Sequence, residues 1–201
     1  RLYGSYLSPG IILGGNEMAR VKLLELEETS GAERERYQKL ADANKVTNMK
    51  RALLQDAATY DAFMGWYTSW GRLVEIISER EATVFAHSIS TTNSCQLCSL
   101  FFISDLMALG IEPSDFVKTE REEVLSELGA QIVKDPTAVS DELFDKLRKY
   151  WKDNEIVVIV GFAAQMIATN NFNSVFKIDL DTRLLPIKDE FKPATWRSNI
   201  E

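Results

Sequence analysis

The fold of this chain is decided by residues 78–98, which read SEREATVFAHSISTTNSCQLC. Ser78 is followed three residues later by Glu81, a pairing typical of a capping box, in which each side chain hydrogen-bonds the other residue's backbone amide. An apolar pattern with helical spacing follows it. The stretch therefore predicts a helix that begins at Ser78 and continues through Ala82–Ile89.

A second helix is expected to carry both cysteines of the chain. Asn93-Ser94 gives an N-cap signal, and the apolar run behind it predicts a helix to about Leu109. Gly110 would end this helix as a residue with positive φ. Cys95 and Cys98 would then lie in the first turn, three residues apart and on the same side of the helix.

The rest of the chain shows the same helical spacing and no run of strict alternation. We expect an all-α fold, with residues 1–20 as an N-terminal arm and residues 21–201 as a single helical domain with an extended C-terminal tail. The sequence leaves open whether residues 1–17 are native. The other expected helices are 32–43, 52–70, Glu120–Ile132, Ser140–Trp151 and Asn154–Thr169.

Composition excludes several classes of protein. The 201 residues are 45% hydrophobic and 26% charged, with a formal net charge of −7, as in a soluble globular protein. An acidic balance argues against nucleic acid as a partner. We also see no apolar stretch long enough to span a bilayer and no secretory signal, so we expect no membrane partner. Two neighbouring cysteines and no others favour a reducing cytoplasm.

The spacing of Cys95 and Cys98 favours redox chemistry. A helix N-terminus stabilises a thiolate, and a second thiol nearby can resolve a sulfenic acid into a disulfide. Inert packing in a core is the alternative, because free cysteine is among the most buried residue types. We expect no metal or other cofactor, since a zinc site or an iron–sulfur cluster would need more ligands than the two thiols and the single His87 supply.

Four stretches carry a resemblance to a known family: EREAT (79–83), SISTTNSCQLC (88–98), DPTAVS (135–140) and ATNNFN (168–173). Together they resemble the carboxymuconolactone decarboxylase and alkyl hydroperoxidase D superfamily, in its peroxidase-related branch, over roughly residues 18–185. The resemblance implies an all-helical bundle that assembles as a trimer or hexamer. It also implies thiol-dependent reduction of a small hydroperoxide or of a partner protein's disulfide, with an unknown thiol as reductant.

The chain departs from the family pattern at two positions. Active members continue the motif as C-x-x-C-x-x-x-H and carry a Glu on the preceding helix, whereas this chain has Phe102 and Thr83 there. Those two groups form the proton relay of the family. The resemblance implies that Cys98 attacks the peroxide and that Cys95 resolves it.

His87 is the residue that we expect to replace the relay. It lies one helical turn after Thr83, and an imidazole titrates near neutral pH. The catalytic residues predicted from the sequence are thus Cys98, Cys95 and His87. Two alternatives remain: a non-catalytic or regulatory oligomer of the same fold, and a lactone decarboxylase that would need a cationic substrate-binding group.

Overall fold

The computed structural model describes residues 19–199 and contains eight α-helices and no strand in that range. The all-α expectation is therefore confirmed. The helices are α1 (Gly31–Asp42), α2 (Asn48–Leu53), α3 (Ala57–Ile76), α4 (Glu79–Thr92), α5 (Gln96–Ala108), α6 (Glu120–Lys134), α7 (Asp141–Arg148) and α8 (Asp153–Val175). Short 3-10 segments connect them, and two more form the C-terminal tail, at Thr182–Glu190 and Thr195–Asn199.

The predicted capping signals mark real helix starts. Ser78 and Glu81 form the capping box of α4, and the Ser140 side chain accepts a hydrogen bond from the backbone of Leu143 at the start of α7. The prediction of a single helix over 52–70 is wrong, because the chain turns after Leu53. The Asp56 side chain accepts a hydrogen bond from the backbone of Thr59, so a new helix begins there.

Two further boundaries differ from the prediction. Asn93 ends α4 instead of starting α5, and the N-cap of α5 is Cys95 itself. Helix α8 does not end at Thr169 but continues to Val175. The second difference matters for function, because it places Asn170 and Asn173 inside a helix that packs against α5.

Helix α4 is the centre of the bundle and packs against α3, α5, α6 and α8. Its Phe85 and Ile89 are fully buried. A Cβ at Gly129 of α6 would lie 2.9 Å from Ile89 Cγ1, so only glycine lets the two helices approach this closely. Phe85 also contacts Phe162 of α8 at a centroid distance of 6.2 Å. These contacts fix α4 and α8 relative to each other, and the two helices enclose the start of α5.

Helix α8 corrects the expectation that no stretch is long enough to span a bilayer. The helix has 23 residues. Its most apolar window has a mean hydropathy of 1.3, and 33% of that window is buried. Its inner face packs against α3 and α4 through residues such as Phe162 and Met166. A core helix of a soluble protein passes the same test of length and composition, so this stretch is weak evidence for a membrane.

The two chain ends lie on the bundle where the structure describes them. The expected arm falls outside the described residues apart from its last two, Ala19 and Arg20. The backbone of Arg20 donates to the carbonyl of Phe176 just after α8, at 2.8 Å. The C-terminal tail packs on its own chain: Trp196 Nε1 donates to the carbonyl of Thr92 at 3.1 Å.

Candidate functional site

The turn between α4 and α5 places the dithiol. Ser94 takes a positive φ of 57°, which lets the chain reverse within two residues. The backbone of Cys95 then donates to the carbonyl of Ser90 at 2.9 Å, which ties the first cysteine to the last turn of α4. This geometry sets Cys95 at the N-cap of α5 and Cys98 in its first turn.

The two sulfur atoms lie next to each other. Their separation is 2.7 Å, with the Cys95 thiol as donor, and both cysteines are free and buried. The backbone amide of Cys98 also donates to the Cys95 sulfur at 3.4 Å. A disulfide requires about 2.05 Å between the sulfurs, so very little movement is needed to form one.

Two asparagines of α8 complete the surroundings of Cys98. The side-chain amide of Asn173 donates to the Cys98 sulfur at 3.2 Å. Asn170 also hydrogen-bonds Cys98, and its amide donates to the Ser90 hydroxyl at 3.1 Å. Both asparagines are buried, and the carbonyl oxygen of Asn173 is buried without a hydrogen-bond partner among residues 19–199. Cys98 is thus surrounded by donors.

These contacts move the pKa values of the two thiols in opposite directions. Burial raises the pKa of Cys95 well above its ordinary value, and the hydrogen bond that its thiol donates to Cys98 adds to this. Burial also acts to raise the pKa of Cys98, but the hydrogen bonds from Cys95, Asn173 and Asn170 outweigh it and lower that pKa. Cys98 therefore loses its proton more readily than Cys95 does.

A cavity of about 520 Å³ opens beside the pair. Cys95 and Asn173 line it together with Gln96, Ser174 and Lys177, whereas Cys98 is not among the lining residues. Cys95 and Asn173 are thus the residues of the dithiol site that border this cavity. Within residues 19–199, no three His, Cys, Asp or Glu side chains come together as metal ligands.

Thr83 and Phe102 occupy the two positions at which active family members carry the proton relay, and both make structural contacts. The Thr83 hydroxyl donates to the carbonyl of Glu79 at 2.8 Å within its own helix. Phe102 is buried and stacks on Trp70 with 6.2 Å between the ring centroids. Among residues 19–199, neither residue forms a hydrogen bond with the thiols.

The structure gives His87 no hydrogen bond to either cysteine. Its Nε2 lies 3.1 Å from the Thr91 hydroxyl, which in turn donates to the Ser99 hydroxyl at 3.3 Å. Burial and, to a smaller extent, the charge of Lys118 lower the pKa of His87 to about 4. It lines a second cavity that contains neither cysteine. Its expected role as the base of the dithiol stays a prediction without a supporting contact.

Sequence reasoning missed Asn173 as a functional residue. The signal was the run Asn170-Asn171-Phe172-Asn173, which directly follows the helix expected over Asn154–Thr169. Amides buried in an apolar helix need partners, and here the partner of Asn173 is the Cys98 sulfur. Only the longer helix makes this contact possible.

The C-terminal tail hydrogen-bonds the turn between α4 and α5. Arg197 donates through Nη2 to the side-chain carbonyl of Asn93, and the backbone of Ala194 donates to the Ser94 hydroxyl at 3.0 Å. The Asn93 amide in turn donates to the side chain of Asn171 at 3.1 Å. One hydrogen-bond network thus joins the tail, the turn before Cys95 and α8.

The comparisons with known proteins find structural likeness only. No family model matches the chain, and none of the curated proteins matches it by sequence. An uncharacterized peroxidase-related protein from Silicibacter sp. TM1040 superimposes with a TM-score of 0.67 at 14% identity, over 86% of this chain and 97% of its own. An uncharacterized peroxidase-related protein from Ralstonia eutropha JMP134, described as an alkylhydroperoxidase AhpD core, gives 0.63 at 15% identity, over 89% and 100%.

Both neighbours are covered almost completely, and the superpositions extend over most of the eight-helix bundle. At this identity the likeness establishes architecture and not activity. The resemblance read from the sequence is confirmed at that level: the chain has the all-helical fold of the alkylhydroperoxidase AhpD core.

Proposed function

We propose that this protein is a thiol-dependent peroxidase or disulfide reductase. In the reaction with peroxide, Cys98 is the nucleophile and Cys95 is the resolving thiol. One observation carries the proposal: the Cys98 sulfur lies 2.7 Å from the Cys95 sulfur and 3.2 Å from the amide nitrogen of Asn173. This arrangement stabilises a thiolate at Cys98 and keeps a proton on its neighbour. The peroxidase-related names of the two structural neighbours support the same class.

The reaction with a small hydroperoxide follows from this arrangement. The Cys98 thiolate attacks the terminal peroxide oxygen, the O–O bond breaks, and a sulfenic acid forms at Cys98. The departing alkoxide takes the proton of the Cys95 thiol. The Cys95 thiolate then attacks the Cys98 sulfur, and the hydroxyl group leaves as water with a proton from solvent. The products are one alcohol, one water and the Cys95–Cys98 disulfide, which holds the two electrons lost by the thiols.

Asn173 orients the peroxide in this proposal. Its amide nitrogen donates to the Cys98 sulfur, and its buried oxygen has no partner among the described residues. An amide oxygen accepts hydrogen bonds, so it is suited to the O–H of a hydroperoxide that has entered from the adjoining cavity. The same residue would thereby stabilise the nucleophile and hold the substrate.

Reduction of the disulfide returns the enzyme to its starting state. An external thiolate attacks one sulfur and forms a mixed disulfide, which a second thiol resolves. Cys95 lines the cavity and Cys98 does not, so the mixed disulfide is expected at Cys95. A disulfide in a partner protein would be reduced by the reverse of this exchange, again through Cys95.

The experiment that tests the proposal compares two cysteine variants. Cys98→Ser is expected to abolish peroxide consumption, and Cys95→Ser is expected to retain the first step and accumulate a sulfenic acid at Cys98. Mass spectrometry after a substoichiometric peroxide pulse identifies both products. If neither thiol reacts with peroxide faster than free cysteine does, the proposal is wrong.

His87 is tested in the same assay. If it acts as the base, His87→Gln raises the pKa of Cys98 and slows the peroxide reaction. Equal values in wild type and variant would remove His87 from the mechanism.

A non-catalytic or regulatory oligomer of this fold is the second candidate. Both thiols are buried, and packing or helix-internal contacts occupy Phe102 and Thr83. A Cys95–Cys98 disulfide that forms once and is not reduced again by a thiol buffer would favour this candidate over the enzyme.

A further inference from the structure

A second cavity of about 250 Å³ is lined by neither cysteine nor by Asn173, and it has no role in the proposed reaction. One end is polar and consists of His87, Thr91 and Ser99. The tail residues Glu190 and Lys192 also line it. Its walls are apolar and come from Ile103, Leu106, Ile111, Pro113, Phe116 and Phe191. Cavities with mostly apolar walls and a few converging polar groups are the usual form of a small-molecule site.

The polar end is a chain of hydrogen bonds that joins Ser99, Thr91 and His87. Thr91 donates its single hydroxyl proton to Ser99 at 3.3 Å, so its oxygen is an acceptor toward His87 Nε2, 3.1 Å away. Nε2 then carries the imidazole proton, and Nδ1 carries a lone pair. Among residues 19–199, Nδ1 has no hydrogen-bond partner, which leaves one acceptor at the end of an apolar cavity.

The charges around the cavity favour an uncharged ligand, because Glu190 and Lys192, which both line it, carry opposite charges. His87 is neutral at pH 7, because its pKa is lowered to about 4. Lys118 acts on the ring, so an ammonium group would be repelled at the polar end. A carboxylate would meet the lone pair of Nδ1, and burial of its charge would cost free energy. A hydroxyl group satisfies Nδ1 without bringing a buried charge.

We propose that this cavity is a binding site for a small uncharged molecule with an apolar body and a single hydroxyl group, which donates to His87 Nδ1. The site is separate from the dithiol and does not depend on the proposed redox function. His87 thus acts as a ligand-binding residue.

Nuclear magnetic resonance tests this directly, because His87 is the only histidine in the chain. A titration with 1-hexanol is expected to give saturable shifts of the imidazole resonances, also in the Cys95→Ser/Cys98→Ser protein. Hexylammonium and hexanoate are expected to bind at least tenfold more weakly. Shifts that grow linearly without saturation, tighter binding of either charged probe, or loss of binding in the folded double variant would overturn the proposal.

Two variants locate the site. Ile111→Trp fills the cavity from its partly buried rim and is expected to abolish 1-hexanol binding. Thr91→Val removes the hydroxyl that fixes the imidazole tautomer and is expected to weaken binding about two- to tenfold. Thr68→Val, on the exposed face of α3, is the matched control and is expected to bind as wild type does. If 1-hexanol binds to folded Ile111→Trp or to Thr91→Val with wild-type affinity, the assignment is wrong.

Discussion

Asn173 differs from the relay groups of active family members because a carboxamide does not take up a proton near neutral pH. It stabilises the Cys98 thiolate by donating at 3.2 Å, but it cannot remove the thiol proton. The fraction of Cys98 in the thiolate form is therefore set by hydrogen bonding against burial. The pKa of Cys98 should therefore change when a single hydrogen-bond donor is lost.

Asn173→Ala is expected to raise the pKa of Cys98 and to slow its alkylation at pH 7 about tenfold, because a hydrogen bond to a charged group contributes about 1.5–3 kcal/mol. The rate of reaction with iodoacetamide as a function of pH measures both quantities. Asn154→Ala, at the exposed start of the same helix, is the matched control. Equal profiles for the two variants would contradict the assigned role of Asn173.

His87 makes the stability of the fold depend on pH. Its pKa of about 4 in the folded protein lies below the value of about 6.5 expected in the unfolded chain, so the unfolded state binds a proton first. The free energy of unfolding should therefore decrease as the pH falls from about 6.5 to about 4, by up to about 3 kcal/mol from this residue. Urea unfolding at several pH values measures the decrease.

His87→Gln is the control for this dependence, because glutamine keeps a polar side chain and does not titrate. The difference between wild type and variant isolates His87 from the carboxylates that titrate in the same range. Parallel curves for the two proteins would show that His87 is not held neutral.

At the scale of elements, the turn between α4 and α5 depends on the C-terminal tail. Ser94 has a positive φ without being glycine, and its neighbour Asn93 is buried. Arg197 donates to Asn93 from the tail, and Trp196 donates to the carbonyl of Thr92. The tail thereby holds a strained turn whose next residue is Cys95.

Removal of the Arg197 side chain is expected to loosen this turn. Arg197→Ala deletes a hydrogen bond from a charged group, and the amide of Cys95 should exchange with solvent about tenfold faster. Hydrogen–deuterium exchange of the peptide that contains residues 93–98 measures this opening. Arg72→Ala, an exposed arginine on α3 that pairs with Glu75, is the matched control. Unchanged protection in Arg197→Ala would show that the tail does not hold the turn.

The same elements show how far the sequence predicts the structure. Local signals located the starts of α4 and α7, because a capping side chain and its amide partner lie within one turn of chain. The prediction that Asn93-Ser94 begins α5 was wrong for the same local reason. Both residues are common N-caps, but here they complete the end of α4, and Cys95 is the N-cap of α5. The contact between Asn173 and Cys98 joins residues 75 positions apart, and no local spacing encodes it.

At the scale of the whole molecule, α8 leaves an apolar face without a cover in the single chain. The exposed fraction is 70% for Val157 and 58% for Val175. Gly161, Ala164 and Ala168 are exposed between them, on the same side of the helix, and nothing lies within 4 Å of a Cβ built at Gly161. Small residues between larger apolar ones allow close approach of another helix. We propose that this protein forms a trimer or hexamer and that its subunits meet at this face.

Gly161→Arg is expected to convert the assembly into monomers, because a charged side chain at the centre of the face would be buried without a partner. Light scattering coupled to size-exclusion chromatography measures the mass of each species. Val117→Arg is the matched control, since Val117 is 79% exposed and lies in the segment between α5 and α6, away from α8. A monomeric wild type would show that the face is not a subunit interface. A Gly161→Arg protein with the wild-type mass would lead to the same conclusion. Dissociation by Val117→Arg would instead show that the subunits meet at the segment between α5 and α6.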